Sequence, residues 1–419
     1  MSYQDEFVLF WEQVKESAKA GQFAKLTMAK TIGKPDLKNI YVRPINSEDG
    51  FRVLLKFRYR PKETEDQEQE LTLDDLKGKI VAVTKKSFLQ DAVNTWRHDF
   101  SWRQHENKLN EAGSFKYKTQ SGLELHYLHK TANSKNAIPL LLTHGWPGSV
   151  QEFLNMIPLL TQGREGIEFH VVCPAIPGYG FSDKPKQLGM NSKEVAKLEN
   201  ELMLSLGYSK YIAQGGDWGA TITKWIAELF PDNCMAIHLN LVLAFPPADE
   251  DPMTGVTPEE VKGMENFQKY QETGFGYYAI QSTKPQTLGY GLNDSPVGLA
   301  AWIIEKFHGW AATKPNQLVV PLDQVLAIIS LYWFTESITS SARLYYENGP
   351  VGFSFNKVAQ PMAGAIFDHE IARPPRAHAE KIYNIVQWNQ YSGGHFAALE
   401  NPDILAGDIF GFVKKLDIL

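Results

Sequence analysis

The chain has 419 residues, 43% of them hydrophobic and 21% charged, with a formal net charge of −6. This is the composition of an ordinary globular protein, with room for one large α/β domain carrying insertions or for two or three domains. Mild acidity argues against a general nucleic-acid binder. Cys173 and Cys234 sit in no metal-ligand spacing and read as small buried hydrophobes. Met1-Ser2-Tyr3-Gln4-Asp5-Glu6 is polar and acidic, and no apolar run reaches about 18 residues. Neither a signal peptide nor a membrane anchor is therefore expected, and a cytoplasmic location is.

Residues 1–70 read as an N-terminal accessory region. Phe7, Phe10, Trp11 and Val14 have helical spacing. Ile40–Val42 and Phe51–Phe57 read as strands around a turn at Asn46–Gly50, and Glu63–Glu70 is an acidic stretch that marks a boundary or surface loop. An accessory domain or an oligomerisation arm, and with it a homodimer, is the default expectation for this region. Residues 71–122 form a meander that wraps the core. Its pattern from Leu73 to Asn110 is helical, and Trp96, Phe100 and Trp102 are bulky anchors.

Residues 123–247 read as the first part of an α/β core. Leu123–His129 alternates like a half-buried strand. Ile138–Thr143 and Phe169–Pro174 are short continuous apolar runs, as central parallel strands require. Helices are expected over Val150–Leu160 and Ser192–Leu206. Tyr211–Ala213 is then a strand, Thr221–Phe230 a helix and Ala236–Leu243 a strand. This rhythm specifies a doubly wound, mostly parallel sheet. Residues 248–350 are helical, rich in aromatics, and long enough to form a lid domain. Residues 351–419 complete the core, with strands at Met362–Phe367 and Ile385–Gln390 and helices near Arg376–Tyr383 and Pro402–Lys415.

Ligands of such sheets bind beyond the carboxyl ends of the strands. Gly215-Gly216-Asp217-Trp218-Gly219-Ala220 lies at one such end, between a strand and a helix. It reads either as a turn with a capping Asp or as a nucleophile elbow with Asp in place of Ser. Glu370 follows the strand at 362–367, with Asp368 and His369 as rivals, and His395 lies in a loop past the strand at 385–390. Nucleophile, acid and His in that order is the α/β-hydrolase arrangement. A carboxylate with a reference pKa of about 3.9 is already ionised at neutral pH and needs no activating base. Its attack on an sp³ carbon gives an ester, which water activated by His395 would cleave while Glu370 holds the imidazole. The backbone N–H groups of Trp218 and Trp146 would serve the oxyanion.

The motifs His144-Gly145-Trp146-Pro147-Gly148-Ser149, Pro177-Gly178-Tyr179-Gly180-Phe181-Ser182, Gly215-Gly216-Asp217-Trp218-Gly219 and Gly393-Gly394-His395-Phe396-Ala397-Ala398 occur in this order. So do Trp96-Arg97-His98-Asp99-Phe100-Ser101-Trp102-Arg103 and Leu292-Asn293-Asp294-Ser295-Pro296-Val297-Gly298-Leu299-Ala300-Ala301. Together they resemble the epoxide hydrolases of the microsomal and juvenile-hormone type, over residues 72–419. The resemblance implies the α/β-hydrolase fold, with a mainly helical lid and an N-terminal extension, and hydrolysis of an apolar epoxide to a vicinal diol. It also implies two lid tyrosines that bind the epoxide oxygen, which fall at Tyr277 and Tyr345. Tyr278 and Tyr346 are each one residue away and remain alternatives. A phenol with a pKa of about 10 can hydrogen-bond the ring oxygen and deliver a proton to it. No metal or organic cofactor is called for, and water is the second substrate. The sequence departs from the family pattern at Asp368, where relatives often carry Pro, and over residues 1–70.

A haloalkane or haloacid dehalogenase on the same fold would share Asp217, His395 and the ester. It would bind halide through tryptophan N–H groups, and the tyrosine pair favours the epoxide. A hydrolase-fold receptor would tolerate loss of the nucleophile, acid or base, yet all three are present. A serine esterase lacks its Ser at the elbow.

Overall fold

The computed structural model describes residues 24–26, 37–47, 50–59, 86–246, 249–312 and 318–416. The chain divides into two compact units, Met1–Val83 and Thr84–Leu419. In the first unit, strands β1 (Ala24–Leu26), β2 (Leu37–Ser47) and β3 (Gly50–Tyr59) form an antiparallel sheet in that order. Ser47 pairs with Gly50, so the chain reverses where Asn46–Gly50 predicts a turn. The helix expected near Phe7 and the acidic stretch Glu63–Glu70 lie outside the described residues.

The described part of the second unit starts with two helices, α1 (Lys86–His98) and α2 (Trp102–Glu111), within the stretch from Leu73 to Asn110 that reads as helical, whose first part, 73–85, lies outside the described residues. An eight-stranded sheet follows. Its strands are β4 (Ser114–Lys118), β5 (Glu124–Lys130), β6 (Ile138–Thr143), β7 (Phe169–Pro174), β8 (Tyr211–Gly215), β9 (Cys234–Leu239), β10 (Pro361–His369) and β11 (Asn384–Gly394). The spatial order is β11-β10-β9-β8-β6-β7-β5-β4. β4, β5 and β7 pair antiparallel at one edge, and every other pair is parallel. The sheet is thus mostly parallel, and the hairpin partner β4 has no counterpart among the strands read from the sequence.

Side chains of a strand alternate between the two faces. Leu141 and Val172 join one apolar core, while Leu140, Leu142, Val171 and Cys173 join the other. This two-sided burial is why β6 and β7 read as continuous apolar runs. The first core contains α4 (Ser192–Ser205) and α5 (Trp218–Leu229) through Val195, Leu202, Ile222 and Ile226. The second is closed by α3 (Met156–Gln162) and α14 (Pro402–Val413) through Ile157, Leu160, Ile409 and Phe412.

The helix expected over Val150–Leu160 is broken into a 3-10 turn, Val150–Phe153, and α3. Pro158 has no N–H to give the carbonyl of residue 154, which interrupts the ladder there. β9 ends at Leu239, earlier than expected. β11 runs to Gly394, so His395 follows directly on the strand and is not in a loop beyond it.

Between β9 and β10 lies a helical layer: α6 (Pro258–Thr273), α7 (Gly276–Thr283), α8 (Pro285–Asp294), α9 (Pro296–Trp310), α10 (Leu322–Phe334) and α11 (Ile338–Val351). Thr257 and Glu260 form a capping box at the start of α6. The layer is pinned to the rest of the unit by Trp96 Nε1–H on Ser330 (2.8 Å), the Tyr332 hydroxyl on the Gly148 carbonyl (2.9 Å) and the Ser340 hydroxyl on the Gly178 carbonyl (2.5 Å). Two further short helices, α12 (Arg376–Ile382) and α13 (Ala397–Glu400), flank β11. Among the described residues no helix is long and apolar enough to cross a membrane.

Candidate active site

Asp217 has φ +50° and ψ −130°, a backbone state few L-residues adopt. Such strain costs on the order of 1–3 kcal/mol and persists only where the surroundings impose it. Here the surroundings are backbone on backbone. A Cβ on Gly215 would lie 2.2 Å from the Gly219 carbonyl oxygen, and one on Gly219 would lie 2.0 Å from that of Thr143. The glycines allow β8 and α5 to meet at this angle, and the carboxylate of Asp217 projects from the top of the bend.

Trp146, Asp217, Glu370 and His395 follow the carboxyl ends of β6, β8, β10 and β11, which lie in one parallel stretch of the sheet. The Trp146 N–H donates to Asp217 Oδ1 at 2.8 Å. Trp218 opens α5, so its N–H is one of the first-turn donors without an intrahelical acceptor. The His144 ring fixes the loop carrying Trp146. It accepts from the Ile176 N–H at 3.2 Å, and burial lowers its pKa to about 4, which keeps it neutral.

His395 lies between two carboxylates. Its Nε2 is 3.2 Å from Asp217 Oδ2 and its Nδ1 is 2.6 Å from Glu370 Oε1. Burial alone would lower the imidazole pKa, but Glu370 and Asp217 together outweigh it and hold the pKa well above the ordinary histidine value. Glu370, not its rivals, makes this contact. Asp368 bonds the Gly393 N–H at 2.9 Å and its neighbour His369 at 2.7 Å, and both side chains are half-exposed.

Tyr277 and Tyr345 are buried, with ring centroids 5.8 Å apart, and line a cavity of about 200 Å³ together with Asp217 and Trp218. The other walls are apolar, among them Leu241, Phe267 and Phe353. Tyr278 also faces this cavity from its side, whereas Tyr346 is exposed. A smaller polar hollow of about 20 Å³, lined by Asp217, His395, Asn240 and Glu152, has room for about one water. Burial raises the Glu152 carboxyl to about 8, so it does not add a second fixed anion beside Asp217 at neutral pH.

Three residues that take part in this arrangement were not singled out in the sequence. Glu400 accepts the N–H groups of Ala312 (2.8 Å), Gly394 (3.0 Å) and Phe396 (3.0 Å) and so clamps the turn carrying His395. Its signal was an acidic residue five positions past a motif histidine. The Tyr270 hydroxyl donates to that of Tyr277 at 3.1 Å across the break between α6 and α7. Lys306 is buried against the Tyr277 ring. Neither of these last two has a local signal, because each meets Tyr277 through tertiary packing.

Residues 52–153 match the family described as epoxide hydrolase N terminus, and residues 138–273 match the alpha/beta hydrolase fold. The first match starts ahead of residue 72, so part of the N-terminal region that looked foreign to the family belongs to its pattern. Epoxide hydrolase 1 of Sus scrofa is 38% identical over 366 residues, covering 79% of this chain and 80% of its own. Juvenile hormone epoxide hydrolase 1 of Ctenocephalides felis is 36% identical over 413 residues, covering 91% and 88%. The solved structure of Aspergillus niger epoxide hydrolase superposes with a TM-score of 0.73 at 31% identity, covering 85% of this chain and 90% of that one.

Proposed function

The chain belongs to the epoxide hydrolase family, and on that premise we propose that it opens an apolar epoxide through a covalent ester on Asp217. The observation that carries this reading is His395 bridging Asp217 and Glu370, at 3.2 Å and 2.6 Å, beneath a cavity that holds two phenols.

In the first half-reaction a carboxylate oxygen of Asp217 attacks one epoxide carbon. The C–O bond to that carbon breaks, and its electron pair passes to the ring oxygen, which takes a proton from the tyrosine pair. The Trp146 N–H on Oδ1 and His395 Nε2 on Oδ2 hold the carboxylate in one orientation for this attack. The apolar walls exclude competing nucleophiles and favour an apolar substrate.

Ester formation changes the electrostatics of the base. While Asp217 is ionised, it and Glu370 keep His395 protonated. Esterification removes the charge of Asp217, the imidazole pKa falls, His395 gives its proton to solvent, and the free imidazole can then take a proton from the attacking water. The polar hollow beside His395 suits that water. The water attacks the ester carbonyl, and the N–H groups of Trp146 and Trp218 stabilise the oxyanion. Collapse leaves Asp217 as a carboxylic acid, which then loses its proton, and releases the diol, whose second oxygen takes the proton that His395 drew from water.

The test is a single turnover in heavy-oxygen water. The first diol is expected to carry no label, because its new oxygen comes from Asp217. In the His395→Gln variant an ester is expected to accumulate on the peptide containing Asp217, read by mass spectrometry. Label in the first diol, together with no adduct in the variant, would overturn the covalent route.

A further inference from the structure

The two phenols above Asp217 have unlike surroundings. Around Tyr345 the packed rings are neutral: Trp218 edge-on at 4.9 Å, Tyr278 at 5.2 Å and Trp146 at 5.7 Å. Tyr277 stacks on Trp146 at 5.4 Å, and the ammonium of Lys306 lies 4.4 Å from its ring centroid. Lys306 is on α9 and only 4% exposed, within reach of the rings of Trp302 (5.4 Å) and Trp310 (5.5 Å) and ion-paired with Glu305. Burial lowers its pKa below the ordinary lysine value, which is a cost for keeping a cation here. A buried lysine that forms one ion pair and otherwise faces aromatic rings is costly unless its charge is used.

We propose that Lys306 is a positioning residue that makes Tyr277, and not Tyr345, the phenol that gives its proton to the opening epoxide oxygen. The inference rests on the ester reading above. When the C–O bond breaks, the ring oxygen gains an electron pair and takes the proton of the Tyr277 hydroxyl, which leaves a phenolate. That phenolate has the Lys306 cation on its ring. Before reaction the proton is held firmly, first by burial and then by the neighbouring Tyr270 and the charge of Asp217. Esterification removes that charge, so the proton becomes easier to give as the alkoxide forms. After ester hydrolysis, the proton lost by the new Asp217 carboxylic acid restores the phenol, and His395 regains from solvent the proton it released on esterification, so the cycle balances. Tyr345 then holds the oxygen by a hydrogen bond without losing its proton.

The test is a double-mutant cycle on the rate of ester formation, measured in single turnover in the His395→Gln background. Lys306→Met is expected to slow ester formation about tenfold, and equally so when Tyr345→Phe is also present. With Tyr277→Phe the same change is expected to cost less than about twofold, because the group it acts on is gone. Lys306→Arg keeps the cation and is expected to recover most of the rate. Equal losses in the two tyrosine backgrounds, or Lys306→Arg behaving like Lys306→Met, would overturn the proposal. A second readout needs no lysine variant: across epoxides graded by the acidity of the alcohol they yield, Tyr277→Phe should depend more steeply on that acidity than Tyr345→Phe. Equal slopes also count against it. If the parent His395→Gln protein forms no ester at all, the ester reading itself fails.

Discussion

Two buried histidines on or beside this sheet are paired with carboxylates. His395 meets Glu370 and Asp217 at the carboxyl edge. His238, on β9, meets Asp408 on α14 at 2.9 Å, with both side chains fully buried. In the second cluster the carboxylate is saturated. Asp408 also accepts from Gln387 (2.9 Å), Asn389 (2.6 Å) and Tyr391 (2.5 Å), which are alternate residues on one face of β11. The first has two carboxylates on one imidazole and opens onto two cavities. The same residue types therefore serve opposite ends. A sealed pair with a fully bonded carboxylate holds a helix to a sheet, whereas a cluster that opens onto cavities, and whose charge balance the proposed esterification would upset, can do chemistry.

The largest expected effect separates the two carboxylates. Asp217→Ala should lower steady-state turnover by about 10⁴-fold or more, as loss of a nucleophile does. Its thermal unfolding should stay close to that of the parent, because the strain lies in a positive-φ backbone state that an alanine shares with the aspartate. Asp408→Asn should leave the turnover of the folded protein within about threefold, since it touches no cavity residue. Comparable activity losses in both would erase the distinction.

A smaller effect tests how the catalytic cluster is biased. Glu370 is a principal cause of the raised His395 pKa. On the proposed route the free imidazole is the form that activates water, so ester hydrolysis should rise with pH through the His395 pKa. Glu370→Gln removes a raising influence and should shift that rise to lower pH. It should also cut the plateau rate about 100-fold through lost orientation and lost imidazolium stabilisation. Stopped-flow traces of ester decay against pH read both. An unmoved limb would remove Glu370 from its role.

Much of the fold was legible because the parallel strands are buried on both faces. β6 and β7 appear in the sequence as bare apolar runs with the bounds seen in the structure. β4 was missed for the converse reason. Phe115 is exposed on an edge strand with lysines at Lys116 and Lys118, so there is neither an apolar run nor a clear alternation. Asp217, Glu370 and His395 could be nominated because each stands beside a strand end with its own local pattern, and the structure brings them within bonding distance. Tyr270, Lys306 and Glu400 could not. Their partners lie on other helices or across a turn, at distances in sequence that no local period encodes.

The smallest effect concerns the sealed pair. Burial alone would raise the pKa of Asp408, but its hydrogen bond with His238 and those with Tyr391 and Asn389 prevail and bring it to about 2. A carboxyl whose folded pKa is depressed stabilises the fold above its unfolded value of about 3.9, and that stability is lost as pH falls toward the folded value. The pair should thus contribute on the order of 2 kcal/mol at neutral pH, most of it lost between about pH 5 and pH 2. Asp408→Asn cannot titrate. Its unfolding free energy, measured by urea titration, should lie below that of the parent near pH 7, and the gap should close as pH falls through this window. A gap that stays constant with pH would mean that Asp408 acts through packing alone, and the two clusters would then differ in kind and not only in access. A gap that closes makes them variants of one ion-pair chemistry, separated by what else reaches the carboxylate.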